Sequence, residues 1–135
     1  MSLKNMLNSK ILLIENESII AIDLKARLEN LGYNIIGIVN KGEDAIKKIE
    51  ETKPDLILMN IILKGELDGI KTAQIIKNKY KIPFIYLTAH HDNKILKRAQ
   101  KTQPATYLKK PYNDTEIQNA IKIALINPQL KTKKP

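Results

Sequence analysis

The sequence predicts an α/β fold in which a doubly wound, five-stranded parallel sheet carries helices on both faces. Three observations lead to this prediction: five apolar runs have the length of strands, amphipathic segments alternate with them, and the links between are short. Strands that alternate with helices in this way pair in parallel through right-handed crossovers. A parallel sheet is covered on both sides, which agrees with the almost continuous apolar character of the runs. We expect strands one, three and four at the centre.

The five predicted strands are short apolar runs rich in isoleucine and leucine. They are Ile11–Ile14, Ile35–Val39, Leu56–Met59, Ile82–Leu87 and Ala105–Leu108. Pro83 stands at the start of the fourth run, where a strand residue can forgo its ladder hydrogen bond. The run therefore remains compatible with a strand.

The five predicted helices have apolar residues spaced three and four positions apart. Ile19, Ile22, Leu24, Leu28 and Leu31 mark the first, which ends at Gly32; Ala45, Ile46 and Ile49 mark the second, which Thr52-Lys53-Pro54 closes. Ile70, Ala73, Ile75 and Ile76 mark the third, and Ile95, Leu96 and Ala99 mark a weaker fourth. Ile117, Ala120, Ile121, Ala124 and Leu125 mark the fifth, with Asn113 or Asp114 as its cap and Glu116 in its first turn.

The length of 135 residues suits one domain. We predict that it occupies residues 1–127 with a core over 10–127, followed by a basic linker or disordered tail at 128–135. The chain has no cysteine, which excludes disulfides, thiolate metal sites and cysteine nucleophiles. No apolar run approaches the roughly 20 residues of a membrane span, and no signal peptide is evident. A cytoplasmic protein without membrane contact is expected.

The formal net charge of +9 raises the question of nucleic-acid binding. Nearly all the positive charge is lysine, and only Arg27 and Arg98 could make bidentate contacts with bases or phosphates. The lysines are spread over every predicted helix, and Lys131, Lys133 and Lys134 add three charges at the end of the chain. Nucleic-acid binding by this domain alone is therefore not expected.

The candidate site lies where the strands end. In an open α/β sheet, ligands bind beyond the carboxyl ends of the strands, at the point where the strand order reverses. The residues at these ends are Glu15-Asn16-Glu17, Asn60, Thr88-Ala89 and Lys109-Lys110-Pro111.

These strand ends resemble the active site of response-regulator receiver domains of two-component signalling, the family of the bacterial chemotaxis regulator. The matching segments are Ile14–Glu17, Pro54–Ile61, Asp68-Gly69, Leu87–Ala89 and Tyr107–Pro111, and the resemblance spans Lys10 to Asn127. It implies a flavodoxin-like fold with strand order 2-1-3-4-5. It also implies a phosphorelay signalling domain that is not an enzyme and that contacts a histidine kinase or another signalling protein.

The chain departs from the family pattern at two site residues. The family has an aspartate that accepts the phosphoryl group where this chain has Asn60, and an acidic residue where it has Asn16. A carboxamide cannot form an acyl phosphate, because its nitrogen lone pair is delocalised and its oxygen is a poor nucleophile. The family's Mg²⁺ also uses the backbone carbonyl at the position of Ile62. Since only Glu15 supplies a formal charge here, we expect Mg²⁺ binding to be weak or absent, and no other cofactor.

The resemblance gives roles to four further positions. Thr88 and Tyr107 match switch residues of the family. Each has a structural alternative: Thr88 as a hydroxyl that ends a strand, and Tyr107 as a packing aromatic. Lys110 matches the lysine that contacts phosphate; we expect it to pair with Glu15 and with the Asn60 side-chain oxygen. The bond before Pro111 is expected to be cis, as in the family.

No neighbouring group is expected to replace the missing aspartate. Asp55 precedes the third strand, about 16 Å from its carboxyl end at roughly 3.3 Å per residue. Glu66 and Asp68 follow the site in a loop that lacks the positioning that catalysis needs. His90 and His91 are interpreted as exposed residues at a helix start and not as metal ligands, because no further ligands accompany them.

The preferred interpretation is a degenerate receiver that acts by phosphorylation-independent protein–protein interaction. The contact face implied by the family is the fourth helix, fifth strand and fifth helix, and a homodimer through this face is one form of the hypothesis. One alternative is an ordinary phospho-accepting regulator whose wild-type form has aspartate in place of Asn60. The change at Asn16 argues against this alternative, since silencing needs one substitution only. A charge-driven nucleic-acid-binding module is the third hypothesis.

Overall fold

The computed structural model describes residues 2–63, 68–89 and 93–126. The five strands are β1 (Lys10–Ile14), β2 (Asn34–Val39), β3 (Leu56–Asn60), β4 (Phe84–Thr88) and β5 (Thr106–Lys109). They form one parallel sheet in the order β2-β1-β3-β4-β5. The predicted sheet order is therefore confirmed, with boundaries that move by one or two residues.

The helices also follow the predicted alternation. They are α1 (Leu3–Leu7), α2 (Ser18–Asn30), α3 (Gly42–Thr52), α4 (Gly69–Ile75), α5 (Asn93–Lys101) and α6 (Asp114–Ile126). A π-helical segment (Ile76–Tyr80) continues α4. Gly32 follows α2 with a φ of 98°, a backbone conformation that favours glycine. Within residues 2–63, 68–89 and 93–126, none of the helices combines the length and the apolar character needed to cross a membrane.

The sequence gives no periodic signal for α1. Its five residues are too few to show an apolar repeat, but the Ser2 hydroxyl accepts a hydrogen bond from the Asn5 backbone N–H at 3.2 Å and so caps the helix. The Met6 side chain joins the core and is 5% exposed. Burial of Met6 thus stabilises a helix that is too short to be stable alone.

The sheet separates two apolar layers, as a doubly wound fold requires. Side chains alternate along each strand, so Ile11 and Leu13 enter one layer while Leu12 and Ile14 enter the other. The first layer contains residues of α2 and α6, and the second contains residues of α3, α4 and α5. The prediction of helices on both faces is confirmed.

The buried stripe of α2 differs from the predicted one. Ala21, Leu24 and Leu28 are buried, whereas Ile19 is 84% and Ile22 is 64% exposed. The three buried residues follow the three- and four-residue spacing of one helix face, and both isoleucines lie off that face. Ile19 and Ile22 thus lie in the helix that they were expected to mark, but they do not belong to its buried face.

Three regions of the prediction lie outside the part of the chain that the structure describes. The domain boundary at residue 127 and the tail at 128–135 lie outside the described residues. The same holds for Glu66, His90 and His91. The assignments made for these positions remain predictions.

Candidate functional site

The parallel register brings the predicted site residues to one edge of the sheet. Ile14 is level with Met59, Asn60 with Leu87, and Thr88 with Lys109. Backbone hydrogen bonds continue past the strands: the Lys110 N–H donates to the Thr88 carbonyl oxygen at 2.7 Å. Glu15, Asn60, Thr88 and Lys110 therefore share the carboxyl edge, as the sequence predicts.

The Glu15 carboxylate is the centre of this edge. Glu15 is only 1% exposed, and both of its carboxylate oxygens accept hydrogen bonds. Oε2 accepts from Lys110 Nζ at 3.2 Å, while Oε1 accepts from Asn60 Nδ2 at 2.9 Å and from the Glu17 backbone N–H at 3.2 Å. A buried carboxylate is costly unless it is paired and hydrogen-bonded, and these contacts meet that requirement.

The Asn60 amide is bonded at both ends. Its Nδ2 donates to Glu15 Oε1 and, at 3.3 Å, to Asn16 Oδ1, while its Oδ1 accepts from the Ile62 backbone N–H at 3.3 Å. The reverse orientation of the amide would place Oδ1 against the Glu15 carboxylate and Nδ2 against an N–H donor. The hydrogen bonds therefore favour this single orientation.

The Lys110 contacts agree with one half of the expectation and correct the other. Lys110 pairs with Glu15, and the bond to Pro111 is cis, as expected. The Asn60 side-chain oxygen, which was expected to accept from Lys110, accepts instead from the Ile62 N–H. The Ile62 N–H lies only two residues after Asn60 in the chain. A hydrogen bond from it, unlike one from Lys110, does not require a long side chain to be ordered.

The residues at this edge do not fit a magnesium ion. Mg²⁺ needs several hard, charged oxygens in octahedral geometry. Here the Asn60 amide presents hydrogen atoms to the oxygens of Glu15 and Asn16, and the one carboxylate is already paired with Lys110. Among the residues that the structure describes, no three histidine, aspartate or glutamate side chains group as metal ligands.

Two of the carboxylates considered as replacements, Asp55 and Asp68, lie in the described part of the chain and have other roles. Asp68 caps α4, where its Oδ1 accepts from the Lys71 backbone N–H at 2.8 Å, and its Oδ2 lies 3.6 Å from Arg98. Asp55 accepts from the Lys10 backbone N–H at 2.8 Å, at the amino end of β1. Neither carboxylate bonds to Asn60 or Lys110, so neither replaces an aspartate at the site.

Gly69 was noted in the sequence only as part of a matching motif, and its structural role was missed. It is the first residue of α4, and a Cβ atom there would collide with the Ile61 carbonyl oxygen and lie 2.5 Å from the Asn60 carbonyl oxygen. The backbone after Asn60 thus packs directly against α4. A glycine at the start of a helix, and not at its end, is the sequence signal that could have revealed this contact.

Thr88 and Tyr107 lie on neighbouring strands with different surroundings. Thr88 is 6% exposed, whereas Tyr107 is 38% exposed and its ring stacks on that of Tyr86 with centroids 5.8 Å apart. The Tyr86 hydroxyl lies 2.6 Å from the Thr102 hydroxyl, and burial raises the pKa of Tyr86. Tyr107 therefore both packs and remains accessible, so the two interpretations made for it are compatible.

Comparison with known proteins agrees with this architecture. The response regulator receiver domain family matches residues 11–122. The transcriptional regulatory protein PdtaR of Mycobacterium tuberculosis is 33% identical over 116 residues, which cover 86% of this chain and 56% of PdtaR. The phyllosphere-induced regulator PhyR of Methylorubrum extorquens is 32% identical over 118 residues, 87% of this chain and 43% of PhyR. The chain thus spans about half the length of these curated relatives.

Solved structures give the same result. The signal receiver domain of a modulated diguanylate cyclase from Desulfovibrio desulfuricans has a TM-score of 0.87 and 31% identity, covering 92% of this chain and 98% of that one. The receiver domain of a sensor histidine kinase from Pseudomonas aeruginosa, solved with magnesium coordinated in its active-site cleft, has a TM-score of 0.79 and 27% identity, covering 89% and 99%. The strand order, the site at the carboxyl edge and these similarities agree. The chain therefore belongs to the response regulator receiver domain family.

Proposed function

We propose that this receiver domain signals by protein–protein contact and does not accept a phosphoryl group. The observation that carries the proposal is the Asn60 amide, which stands at the end of β3 and donates to Glu15 and Asn16. A phosphoryl acceptor needs a nucleophilic oxygen, and an amide oxygen held by the Ile62 N–H is a poor one. The domain is accordingly a binding module and not an enzyme.

The neutral character of the pocket supports the same proposal. One carboxylate, Glu15, faces one ammonium group, Lys110, so the pair needs no cation to balance it. Mg²⁺ binding is then weak or absent at this edge. The partners are a histidine kinase or another signalling protein, which would shift the domain between conformations by differential contact alone.

The second candidate is an ordinary phospho-accepting response regulator whose wild-type form carries aspartate in place of Asn60. The geometry that favours it is the retained scaffold: Thr88 and Lys110 remain at the same edge as Asn60, and Glu15 is in place. If aspartate replaced both Asn16 and Asn60, three carboxylates would meet beside Lys110. Such a site has the oxygens that Mg²⁺ requires.

The test is a comparison of the native chain with the double variant Asn16→Asp/Asn60→Asp. Both are incubated with acetyl phosphate and Mg²⁺, and their intact masses are measured after acid quenching. The native chain is expected to remain unmodified, because no carboxylate occupies the end of β3. A gain of one phosphoryl group by the native chain would refute the proposal. An inert double variant would remove the second candidate.

A further inference from the structure

In the part of the chain that the structure describes, β2 is an edge strand of the sheet. One side of β2 pairs with β1, and the other side has no neighbouring strand. Such an edge presents backbone N–H and carbonyl groups that can pair with a further strand. Proteins commonly protect an edge with charged residues or proline, but the six residues of β2 (Asn34–Val39) include neither. The outer side of β2 is therefore suited to pairing with another strand.

A bulge limits where such a strand can pair. Ile11 of β1 pairs with Ile35 and Leu12 pairs with Gly37, so Ile36 is an extra residue in β2. A bulge disrupts the hydrogen-bond ladder locally and bends the strand. Regular pairing is thus available after the bulge, over residues 37–39.

Within this regular part of β2, the Ile38 backbone points outwards. The Glu15 N–H donates to the Val39 carbonyl oxygen at 2.9 Å, so Val39 directs its backbone groups towards β1. Neighbouring residues of a strand direct these groups to opposite sides. The N–H and the carbonyl group of Ile38 therefore face the edge, where an antiparallel strand can exchange two hydrogen bonds with them.

An apolar groove lies beside the Ile38 backbone. Ile38 is 36% and Ile22 of α2 is 64% exposed, and both line a surface cavity of about 460 Å³. Leu13, the β1 partner of Ile38, packs in the layer that contains residues of α2. The Ile38 side chain therefore lies on the same face of the sheet as Ile22. The two exposed isoleucines give this face of the edge an apolar character.

On the other face of the edge, α3 carries one charge of each sign. A Cβ atom at Gly37 would lie 2.9 Å from Lys48 Cε, so the Lys48 side chain lies over Gly37. Asp44 comes four residues earlier, about 6 Å along the helix, and two residues of a strand span about the same distance. Since α3 runs back along β2, Asp44 lies level with Val39. Neither Asp44 nor Lys48 forms an ion pair within the described residues.

A two-fold axis through Ile38 would match these features with themselves. Two β2 strands then pair antiparallel, with Ile38 opposite Ile38 of a second copy and both hydrogen bonds exchanged. The level of Asp44 lies one residue to one side of this axis, and the level of Lys48 lies one residue to the other. Each Asp44 carboxylate would therefore face the Lys48 ammonium group of the second copy.

The charge of this region also favours contact between two copies. The net charge of the whole chain is +9, so two copies repel each other in general. Residues 18–52, which include α2, β2 and α3, contain five basic and six acidic residues. The segment is thus nearly neutral, and two copies can meet there without that repulsion.

We infer that the edge of β2 is a homodimer interface, at which two copies of the chain join their sheets through antiparallel β2 strands. This interface is distinct from the face of α5, β5 and α6, because β2 and β5 lie at opposite edges of the sheet. The dimer goes beyond the proposed function and does not depend on it, since no group at the end of β3 takes part.

Sedimentation equilibrium of the full chain, over about 1–300 µM, tests the charge pairing. The variants are Asp44→Lys, Lys48→Asp and the swap Asp44→Lys/Lys48→Asp. Glu43→Lys is the matched control, because Glu43 is also exposed in the first turn of α3 and the change in net charge is the same as for Asp44→Lys.

We expect the native chain to form a dimer in this range. Each single variant at positions 44 and 48 should raise the Kd of the dimer about tenfold or more, because like charges then face each other across the axis. The swap should return the Kd to within about threefold of the native value, and Glu43→Lys should change it by about threefold or less. Circular dichroism checks that each variant is folded.

Cross-linking locates the interface independently. The chain contains no cysteine, so a single introduced thiol reports one position. A short bismaleimide should join two copies of Ile38→Cys, since the Cα atoms of a hydrogen-bonded antiparallel pair are about 5.5 Å apart. Leu96→Cys and Ile123→Cys, which place the thiol at exposed positions of α5 and α6, should be cross-linked far less. If a charge variant does not fold, this comparison decides the outcome.

Four results would overturn the inference. They are a native chain that remains monomeric at about 300 µM, a dimer that Asp44→Lys and Glu43→Lys weaken equally, a folded swap variant that does not recover the dimer, or stronger cross-linking of Leu96→Cys than of Ile38→Cys. The experiments contain no phosphodonor. A monomeric chain would therefore leave the proposed function standing, whereas phosphorylation of the native chain would remove that function and leave the dimer in place.

Discussion

The Asn60 side chain joins three groups that lie at the carboxyl edge of the sheet. Its Nδ2 donates to Glu15 and Asn16, and its Oδ1 accepts from the Ile62 N–H. The two amide hydrogens thus hold together the Glu15 and Asn16 oxygens. A divalent cation would need such oxygens as ligands, and here they already accept hydrogen bonds.

Replacement of Asn60 by aspartate should make stability depend on magnesium. The new carboxylate would lose the Nδ2 bond and lie against the buried Glu15 carboxylate. In the presence of a chelator, we expect the free energy of unfolding of Asn60→Asp to be about 1–3 kcal/mol lower than that of the native chain. Millimolar Mg²⁺ should restore part of it, because an added cation offsets two adjacent negative charges.

Urea unfolding with and without Mg²⁺ measures this effect. Asn119→Asp is the matched control, since Asn119 is exposed on α6 and should show no magnesium dependence. The native chain should also be insensitive to Mg²⁺. A native chain stabilised by Mg²⁺ as strongly as Asn60→Asp would show that the amide does not exclude the cation.

Replacement of Gly69 by alanine should disrupt the junction between the site and α4. The added Cβ would meet the carbonyl oxygens of Ile61 and Asn60, which are backbone atoms and cannot turn away as a flexible side chain can. We expect a loss of about 3 kcal/mol in chemical denaturation. Gln74→Ala, at an exposed position of the same helix, should change stability by about 0.5 kcal/mol or less.

At the scale of elements, α2 shows why apolar content alone does not identify a buried face. Leu24 is 1% exposed while Ile22, two residues earlier, is 64% exposed. Leu24→Ala should therefore destabilise the protein by about 2–5 kcal/mol, because it leaves a cavity in the core. Ile22→Ala should cost about 0.5 kcal/mol or less. Equal losses in thermal or urea unfolding would contradict the assigned orientation of α2.

The contact between α2 and the segment before α6 should make unfolding sensitive to alkaline pH. The Arg27 guanidinium lies 5.4 Å from the Tyr112 ring centroid, and burial raises the pKa of Tyr112 to about 12 although Arg27 opposes the shift. The folded state holds this proton more tightly than the unfolded state, in which tyrosine titrates near about 10. The contribution of the protonated Tyr112 hydroxyl to the free energy of unfolding is thus complete below about pH 10, and it is lost as the pH rises towards about 12.

Tyr112→Phe isolates this contribution, since phenylalanine keeps the ring and has no proton to lose. Between pH 10 and pH 12 the native chain should lose about 2 kcal/mol more stability than the variant. The two proteins should differ little in their pH dependence between about pH 7 and pH 9. If the free energies of unfolding of the native chain and of Tyr112→Phe changed in parallel up to about pH 12, burial would not raise the pKa of Tyr112.

Helix ends were predictable where a local side-chain rule applies. Asn113 and Glu116 cap α6 reciprocally: the Asn113 side chain accepts from the Glu116 N–H at 2.8 Å, and Glu116 accepts from the Asn113 N–H at 3.0 Å. Gly32 likewise ends α2 as expected. The short helix α1 was not predictable, because it depends on burial of Met6, which is a tertiary contact.

At the scale of the whole molecule, the sheet order and the place of the site followed from the alternation of strands and helices. Parallel strands must end at one edge, so Glu15, Asn60, Thr88 and Lys110 could be grouped from their places in the sequence. The hydrogen bonds of Asn60 could not be predicted, because they depend on side chains that the fold brings together from distant segments of the chain.

The measurement that tests the central claim most directly is a search for an acyl phosphate on any carboxylate of the native chain. The protein is incubated with a phosphodonor and Mg²⁺, treated with hydroxylamine, and mapped by peptide mass spectrometry for hydroxamates. We predict none at any aspartate or glutamate, because Asn60 leaves the end of β3 without a nucleophile. A hydroxamate at any position, formed only when the phosphodonor is present, would contradict the account.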